Sequence, residues 1–408
     1  EESEIEPKNG HDILTSIDIN VQDVAEDALM KQLIANEADH GCAVLMEVET
    51  GFIVAIANLG KNAKGEYEEK YNYAIGESSE PGSTFKLASL ISALDEGLVK
   101  LTDTVDTQGG AVRFANRIMK DSHEGGYGRI TVQRAFEMSS NVGISKVVYK
   151  AYHDKPQQFI DKLYSMRLNQ KLGLDIPGEG SPSIKDTKDR YWSKVSLPWM
   201  SVGYEVAITP LQTLAFYNAI ANNGRMVKPQ FIKEIHQTGK TVQKFEPIVL
   251  SESIVKNPET LPLIRKMLEG VVEKGTATNL KNPVYKIAGK TGTAQIAQRN
   301  AGYNKSNYKA SFVGYFPADN PKYSCIVVIN NPRKGVYYGG SIAGPVFKEI
   351  ADKVFATRLD QKIKVADSLP GQLPLIASGY SSDLETIFKE INVQWKGDFQ
   401  QYEFASLI

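Results

Sequence analysis

At 408 residues, with a net charge of -1, 42% hydrophobic and 23% charged residues, the chain has an ordinary globular composition. This balance gives no general attraction to nucleic acid or to anionic lipid, and nucleic acid is not expected as a partner. Length sets a prior of two or three units of about 150 residues, and no stretch approaches the roughly 18–20 apolar residues of a membrane span.

Residues 1–10 are polar and read as a linker or frayed terminus. The chain opens on Glu1 rather than Met and shows no signal peptide, so an upstream segment carrying an anchor is expected. Ile13 to Ile17 reads as a short strand and Val21 to Glu37 as a helix. Cys42 to Val48 and Phe52 to Ala57 form a hairpin about Glu49-Thr50-Gly51. A Lys- and Glu-rich loop over 59–73 leads to Glu80-Pro81-Gly82-Ser83-Thr84-Phe85-Lys86-Leu87. There a Pro-Gly break opens an apolar run with helical spacing.

Residues 100–130 are irregular and Gly-rich, with Asp121 and His123 placed either near a site or on the surface. Helices follow over Thr131 to Glu137, from Ser139-Ser140-Asn141-Val142-Gly143 to about Tyr152, and over Phe159 to Leu172. Thr209 to Asn222 carries a Thr-Pro start, and Glu259 to Lys274 is a further helix. Strand-like segments then appear at Tyr285 to Ala288, Ala294 to Ile296, Ser311 to Phe316 and Tyr323 to Ile329, before a helix over Pro345 to Thr357. Strands, then helices, then strands imply one antiparallel sheet built from both ends, with a helical lobe inserted between.

Cys42 and Cys325 lie in apolar runs and read as buried free thiols; a disulfide requires their strands to be neighbours. The five histidines show no ligand-like spacing, and neither metal nor cofactor is expected.

Ser83 and Lys86 stand three apart, so one helix face carries both, with Cβ atoms roughly 5–6 Å apart. A serine becomes a nucleophile when a base takes its proton, and a lysine serves when burial or a nearby cation lowers its pKa. Ser139 and Asn141 supply a hydroxyl and an amide on a loop of the lobe. Gly289-Lys290-Thr291-Gly292-Thr293-Ala294-Gln295 joins close-approach glycines to a positive charge and two hydroxyls, a combination suited to a carboxylate.

The ordered triple Ser-x-x-Lys, Ser-x-Asn, Lys-Thr-Gly resembles the transpeptidase domain of a class B penicillin-binding protein. The resemblance runs over roughly 10–357 and includes Leu14-Thr15-Ser16-Ile17-Asp18, Gly203-Tyr204, Thr209-Pro210-Leu211-Gln212, Asn223-Gly224, Gly275-Thr276-Ala277 and Tyr338-Gly339-Gly340. It implies an α/β (α+β) fold of the penicillin-binding and serine β-lactamase kind, a central antiparallel β-sheet flanked by helices with an inserted helical lobe. Residues 11–357 form the transpeptidase domain, and 358–408 a C-terminal extension leading toward a PASTA-like module. The segment from Gly203-Tyr204 to Asn223-Gly224 resembles the septal, cell-division type more than the elongation type.

The resemblance also implies a chemistry. Ser83 attacks a donor stem peptide ending in D-Ala-D-Ala, and an amine acceptor resolves the acyl-enzyme into a crosslink. Lys86 acts as base, Ser139 relays a proton, and Asn141 holds the donor amide and contacts Lys86. Lys290, Thr291 and Thr293 bind the terminal carboxylate, Gly292 lies with the two threonines in the substrate-binding strand, and the backbone N–H groups of Ser83 and Thr293 form the oxyanion hole. β-Lactams are implied as slow-leaving acylating inhibitors. The implied setting is an extracytoplasmic domain at the inner membrane, working with a membrane glycosyltransferase and division proteins. A D,D-carboxypeptidase and a serine β-lactamase use the same chemistry, although Ser140 stands where class A β-lactamases carry Asp; a non-enzymatic β-lactam sensor is the remaining alternative.

Overall fold

The computed structural model describes residues 10–298, 302–359, 379–390 and 404–405. Two compact units divide it, residues 1–354 and 355–408.

The first unit is built on a six-stranded antiparallel sheet. In spatial order its strands are Ala288–Gln298, Gly302–Phe316, Tyr323–Asn330, His40–Glu47, Ile53–Lys61 and Tyr67–Glu68. The N-terminal hairpin thus lies against strands more than 200 residues later, with Cys42 opposite Val328 and Leu45 opposite Cys325. Successive side chains of a strand point to opposite faces, so the register assigns each residue a side. Gly41 lies against Leu29 and Leu33 of the helix Ile19–Ala35. On the same face Phe312 packs edge-on to Phe347, ring centroids 4.7 Å apart, beneath the helix Gly344–Val354. The other face belongs to the helical lobe. There Ser324 Oγ donates to Asn218 of the helix Pro210–Ala221 at 2.7 Å.

Alternation also settles the cysteines. Their strands are neighbours, but Cys42 and Cys325 point to opposite faces of the sheet, and both are buried free thiols. Burial pushes both thiols up.

The helix Pro210–Ala221 is buried on every side, the pattern of a helix enclosed in a core rather than lying on a surface. Its start is fixed by a capping box: Thr209 Oγ1 accepts from the Gln212 N–H, and the Gln212 side chain accepts from the Thr209 N–H. Its interior polar groups are satisfied, since Asn218 donates to the Val48 carbonyl at 3.0 Å and Tyr217 Oη to the Thr84 carbonyl at 2.8 Å. The latter bond ties this helix to the Ser83 turn.

Several sequence-derived elements have different bounds in the structure. The two short strands expected at 285–288 and 294–296 are parts of one strand, Ala288–Gln298, with Tyr285 outside it. The irregular stretch 100–130 holds two small two-stranded sheets, Thr104–Asp106 with Arg129–Thr131 and Ala111–Phe114 with Arg117–Lys120. Phe159 to Leu172 is helical only within Pro156–Ser165. The strand Asp12–Thr15 pairs with Ile232–Gln237, itself paired with Lys240–Lys244, a region given no assignment from sequence.

In the second unit a five-residue π-turn over Phe355–Leu359 is described. The helix Ser381–Glu390 and the pairing of Gly379–Tyr380 with Phe404–Ala405 are also seen there. The expected linker at Leu369 to Pro374 and residues 1–9 lie outside the described residues.

Candidate active site

The Ser83 turn begins with Gly82 at φ +59°, a left-handed conformation that favours glycine. Residues Gly82–Phe85 form a 3-10 turn, and the α-helix Lys86–Asp95 continues from it with all ten residues buried. The sequence reading placed an ordinary α-helix across this start. In a 3-10 turn side chains at i and i+3 eclipse, so Ser83 and Lys86 share one side of the turn. Gly82 donates to the Gly203 carbonyl at 3.1 Å. Gly203 has φ +89°, and a Cβ on it would stand 2.0 Å from the Gly82 carbonyl oxygen.

Lys86 reaches the Ser-x-Asn loop rather than Ser83. Its Nζ donates to the Ser139 carbonyl at 2.6 Å, to Asn141 Oδ1 at 2.7 Å and to Ser139 Oγ at 3.2 Å. Ser139 sits at φ +56°, a conformation costing a non-glycine residue roughly 1–3 kcal/mol unless its surroundings impose it. They do. Ser140 caps the helix Asn141–Tyr152, accepting from the Gly143 N–H at 2.8 Å and donating to the Asp121 carboxylate at 2.9 Å. Asp121 Oδ1 accepts from the Val142 N–H at 2.9 Å, and Asn141 Nδ2 donates to the Lys120 carbonyl at 2.8 Å.

Lys290 comes to the same hydroxyl from the sheet. Its Nζ donates to Ser139 Oγ at 2.8 Å and to the Thr291 carbonyl at 2.8 Å. Two fully buried amines therefore converge on one oxygen. Burial holds Lys86 down at about 7, against the opposing pull of the Asp121 carboxylate. Burial and then the Lys86 ammonium push Lys290 down as well. A hydroxyl that accepts from both amines retains its own proton to donate.

These groups border a cleft of about 780 Å³, lined by Ser83, Ser139, Asn141, Thr291 and Thr293 among others. Strand alternation sets the residues of Lys290-Thr291-Gly292-Thr293 on two faces. Thr291 and Thr293 line the cleft, Lys290 is buried beneath it, and Gly292 turns toward Ser311 and Thr84. Thr291 Oγ1 hydrogen-bonds Thr276 Oγ1 at 2.6 Å, and Thr293 Oγ1 accepts from the Gly339 N–H at 3.3 Å.

Asp121 was placed by sequence only in a loop of undecided position. Here it anchors the Ser139 turn, and His123, stacked on Tyr127 at 5.1 Å, lines the cleft. Trp199, Tyr308 and Tyr337 also line it and carried no sequence signal of their own, whereas Tyr204, Thr276 and Tyr338 stand inside motifs already singled out. Among the described residues no cluster could hold a metal ion, and no helix is long and apolar enough to cross a membrane.

A serine at a 3-10 turn, two buried amines and a hydroxyl-amide loop thus stand together beside an edge strand. The description Penicillin binding protein transpeptidase domain matches residues 41–352, and the chain belongs to that family. It is 29% identical over 407 residues to the Stage V sporulation protein D of Bacillus subtilis, covering 96% of this chain and 62% of that protein. It thus spans less than two thirds of that relative's length. The probable peptidoglycan D,D-transpeptidase PenA of Neisseria flavescens is 30% identical over 352 residues, 84% of this chain and 82% of PenA. Among solved structures, penicillin binding protein 3 of Mycobacterium tuberculosis complexed with aztreonam aligns with a TM-score of 0.75 and 26% identity. That alignment covers 85% of this chain and 79% of the other.

Proposed function

We propose that the chain is a serine D,D-transpeptidase unit that crosslinks peptidoglycan stem peptides and is acylated by β-lactams. The observation that carries this reading is the convergence of Lys86 and Lys290 on Ser139 Oγ beside Ser83. Lys86, held near neutrality by burial, takes the Ser83 proton as Oγ attacks the penultimate D-Ala carbonyl. Its present bonds run to Ser139 and Asn141, and a donor amide taking over Asn141 releases the amine to turn toward Ser83.

The tetrahedral oxyanion is received by the backbone N–H groups of Ser83 and Thr293; one donor of this kind supplies about 3–4 kcal/mol of barrier lowering. As the C–N bond breaks, Ser139 passes its proton to the departing D-Ala amine and is re-protonated from the lysines behind it. Thr291 and Thr293 hold the donor's terminal carboxylate, with Lys290 supplying charge from beneath. An acceptor amine then attacks the ester, restoring Ser83 and forming the crosslink.

The likeness of the Gly203 to Gly224 segment supports a septal role. The family's relatives, named as peptidoglycan D,D-transpeptidases, support an extracytoplasmic position, which we place at the inner membrane beside a glycosyltransferase and division proteins. The test is partitioning. With a D-Ala-D-Ala donor and an amine acceptor, crosslinked product should form, and nitrocefin should give a stoichiometric burst. Steady nitrocefin hydrolysis would make the protein a β-lactamase, and hydrolysis of the donor without aminolysis a carboxypeptidase.

A further inference from the structure

Another buried lysine, Lys309, takes no part in the chemistry above. The register sets Ala294, Lys309, Asn330 and His40 in one row across the sheet, on the lobe face that also carries Lys290. The Lys309 ammonium donates to Ser79 Oγ at 2.7 Å and to the Glu80 carbonyl. These residues lead directly into Pro81-Gly82-Ser83.

The same segment is held from its other side by residues 203–208. Ser79 and Ile208 exchange backbone bonds at 3.2 and 3.1 Å, and the Glu80 carboxylate accepts from the Glu205 N–H at 2.9 Å. The approach to the nucleophile is thus clamped between a loop of the lobe and one side chain of the sheet.

A buried ammonium is a costly way to fill a sheet row, since an apolar side chain of similar volume is often as stable or more so. The groups facing Lys309 are the carboxylates of Glu77 and Glu80 and, two strands away on His40–Glu47, the neutral thiol of Cys42. Glu77 is itself bonded to His40 at 3.1 Å and to Asn330 at 3.4 Å. Burial draws Lys309 down to about 8, against the pull of the Glu77 and Glu80 carboxylates.

We propose that Lys309 is a positioning residue for acylation: its ammonium ties Ser79 and Glu80 to the sheet and thereby fixes the turn that presents Ser83. The proposal rests on Ser83 being the nucleophile. A charge-assisted bond is roughly twice as strong as a neutral one, so losing the Lys309 proton loosens the segment, and acylation declines above about pH 8.

The test compares wild type, Lys309→Met and Lys309→Arg by second-order acylation with a chromogenic cephalosporin from pH 6 to 10, with circular dichroism to confirm folding. Lys309→Met should acylate at least about tenfold more slowly while still labelling Ser83. Lys309→Arg, whose cation persists above pH 12, should recover most of the rate and move the alkaline decline upward by more than one pH unit. A folded Lys309→Met with a rate within twofold of wild type overturns the proposal. So does a Lys309→Arg profile with an unmoved decline, or a wild-type profile flat to pH 10. If Lys309→Met does not fold, the Lys309→Arg profile decides. Failure of the underlying nucleophile reading looks different, because wild type itself then carries no adduct on Ser83.

Discussion

Replacing Gly203 by alanine should damage both acylation and stability. At φ +89° the new side chain meets the strain of the left-handed region, about 1–2 kcal/mol. Its Cβ would stand 2.0 Å from the Gly82 carbonyl oxygen, where even tight contacts begin near 3.0 Å. Relief therefore requires about 1 Å of movement, and overpacking of this kind costs about 1–3 kcal/mol. The atoms that must move are backbone of the residue before Ser83. A 1 Å misplacement of a reacting group costs roughly 100-fold in rate, so Gly203→Ala should acylate about 100-fold more slowly while losing roughly 2–5 kcal/mol of stability. The control is Gly239→Ala, at φ +76° in the hairpin joining Ile232–Gln237 to Lys240–Lys244, with nothing within 4 Å of its Cβ. It should show the strain alone and an unchanged rate. The assay is stopped-flow acylation with a chromogenic cephalosporin beside denaturant unfolding of each variant. The reasoning is refuted if Gly203→Ala acylates at the rate of Gly239→Ala.

Further outcomes follow from the site. Acylation requires neutral Lys86, so the rate should rise with pH through about 7. Removing the carboxylate in Asp121→Asn takes away the group that raises this pKa, so the acid limb should move to lower pH in the rate profile. Ser139→Ala removes the oxygen on which both amines converge; crosslinking should fall by roughly 100- to 10,000-fold, the span of general acid–base effects, measured by D-Ala release. Tyr217→Phe deletes a buried bond to the Thr84 carbonyl and should destabilise by about 1–3 kcal/mol through the unpaired acceptor, read from urea unfolding.

The motifs were legible because each is local: three-residue spacing is enough to pair Ser83 with Lys86, and Ser139 with Asn141 needs only one turn. Alternation within Lys290-Thr291-Gly292-Thr293 was equally readable and sets Lys290 on the face opposite Thr291 and Thr293, since neighbours on a strand face apart. The sheet's composition from both ends of the unit was visible in the order of strand-like segments. Its register was not, because pairing Cys42 with Val328 depends on packing across 286 residues.

For the same reason Lys309 reads in sequence as one lysine in a polar stretch. Its position beneath Ser79 and Glu80 exists only once the strand Gly302–Phe316 is placed. Asp121 is obscured by loop structure: it lies 18 residues before Ser139, and only the small hairpin Ala111–Lys120 brings it to the cap of the helix Asn141–Tyr152.

The most direct measurement is mass spectrometry of the protein after exposure to benzylpenicillin, first intact and then after digestion. One adduct of the mass of one penicillin is expected. It should map to the peptide containing Ser83, persist over hours in buffer, and be absent from Ser83→Ala. An adduct on any other residue, or an unchanged adduct on Ser83→Ala, would contradict the assignment of the nucleophile.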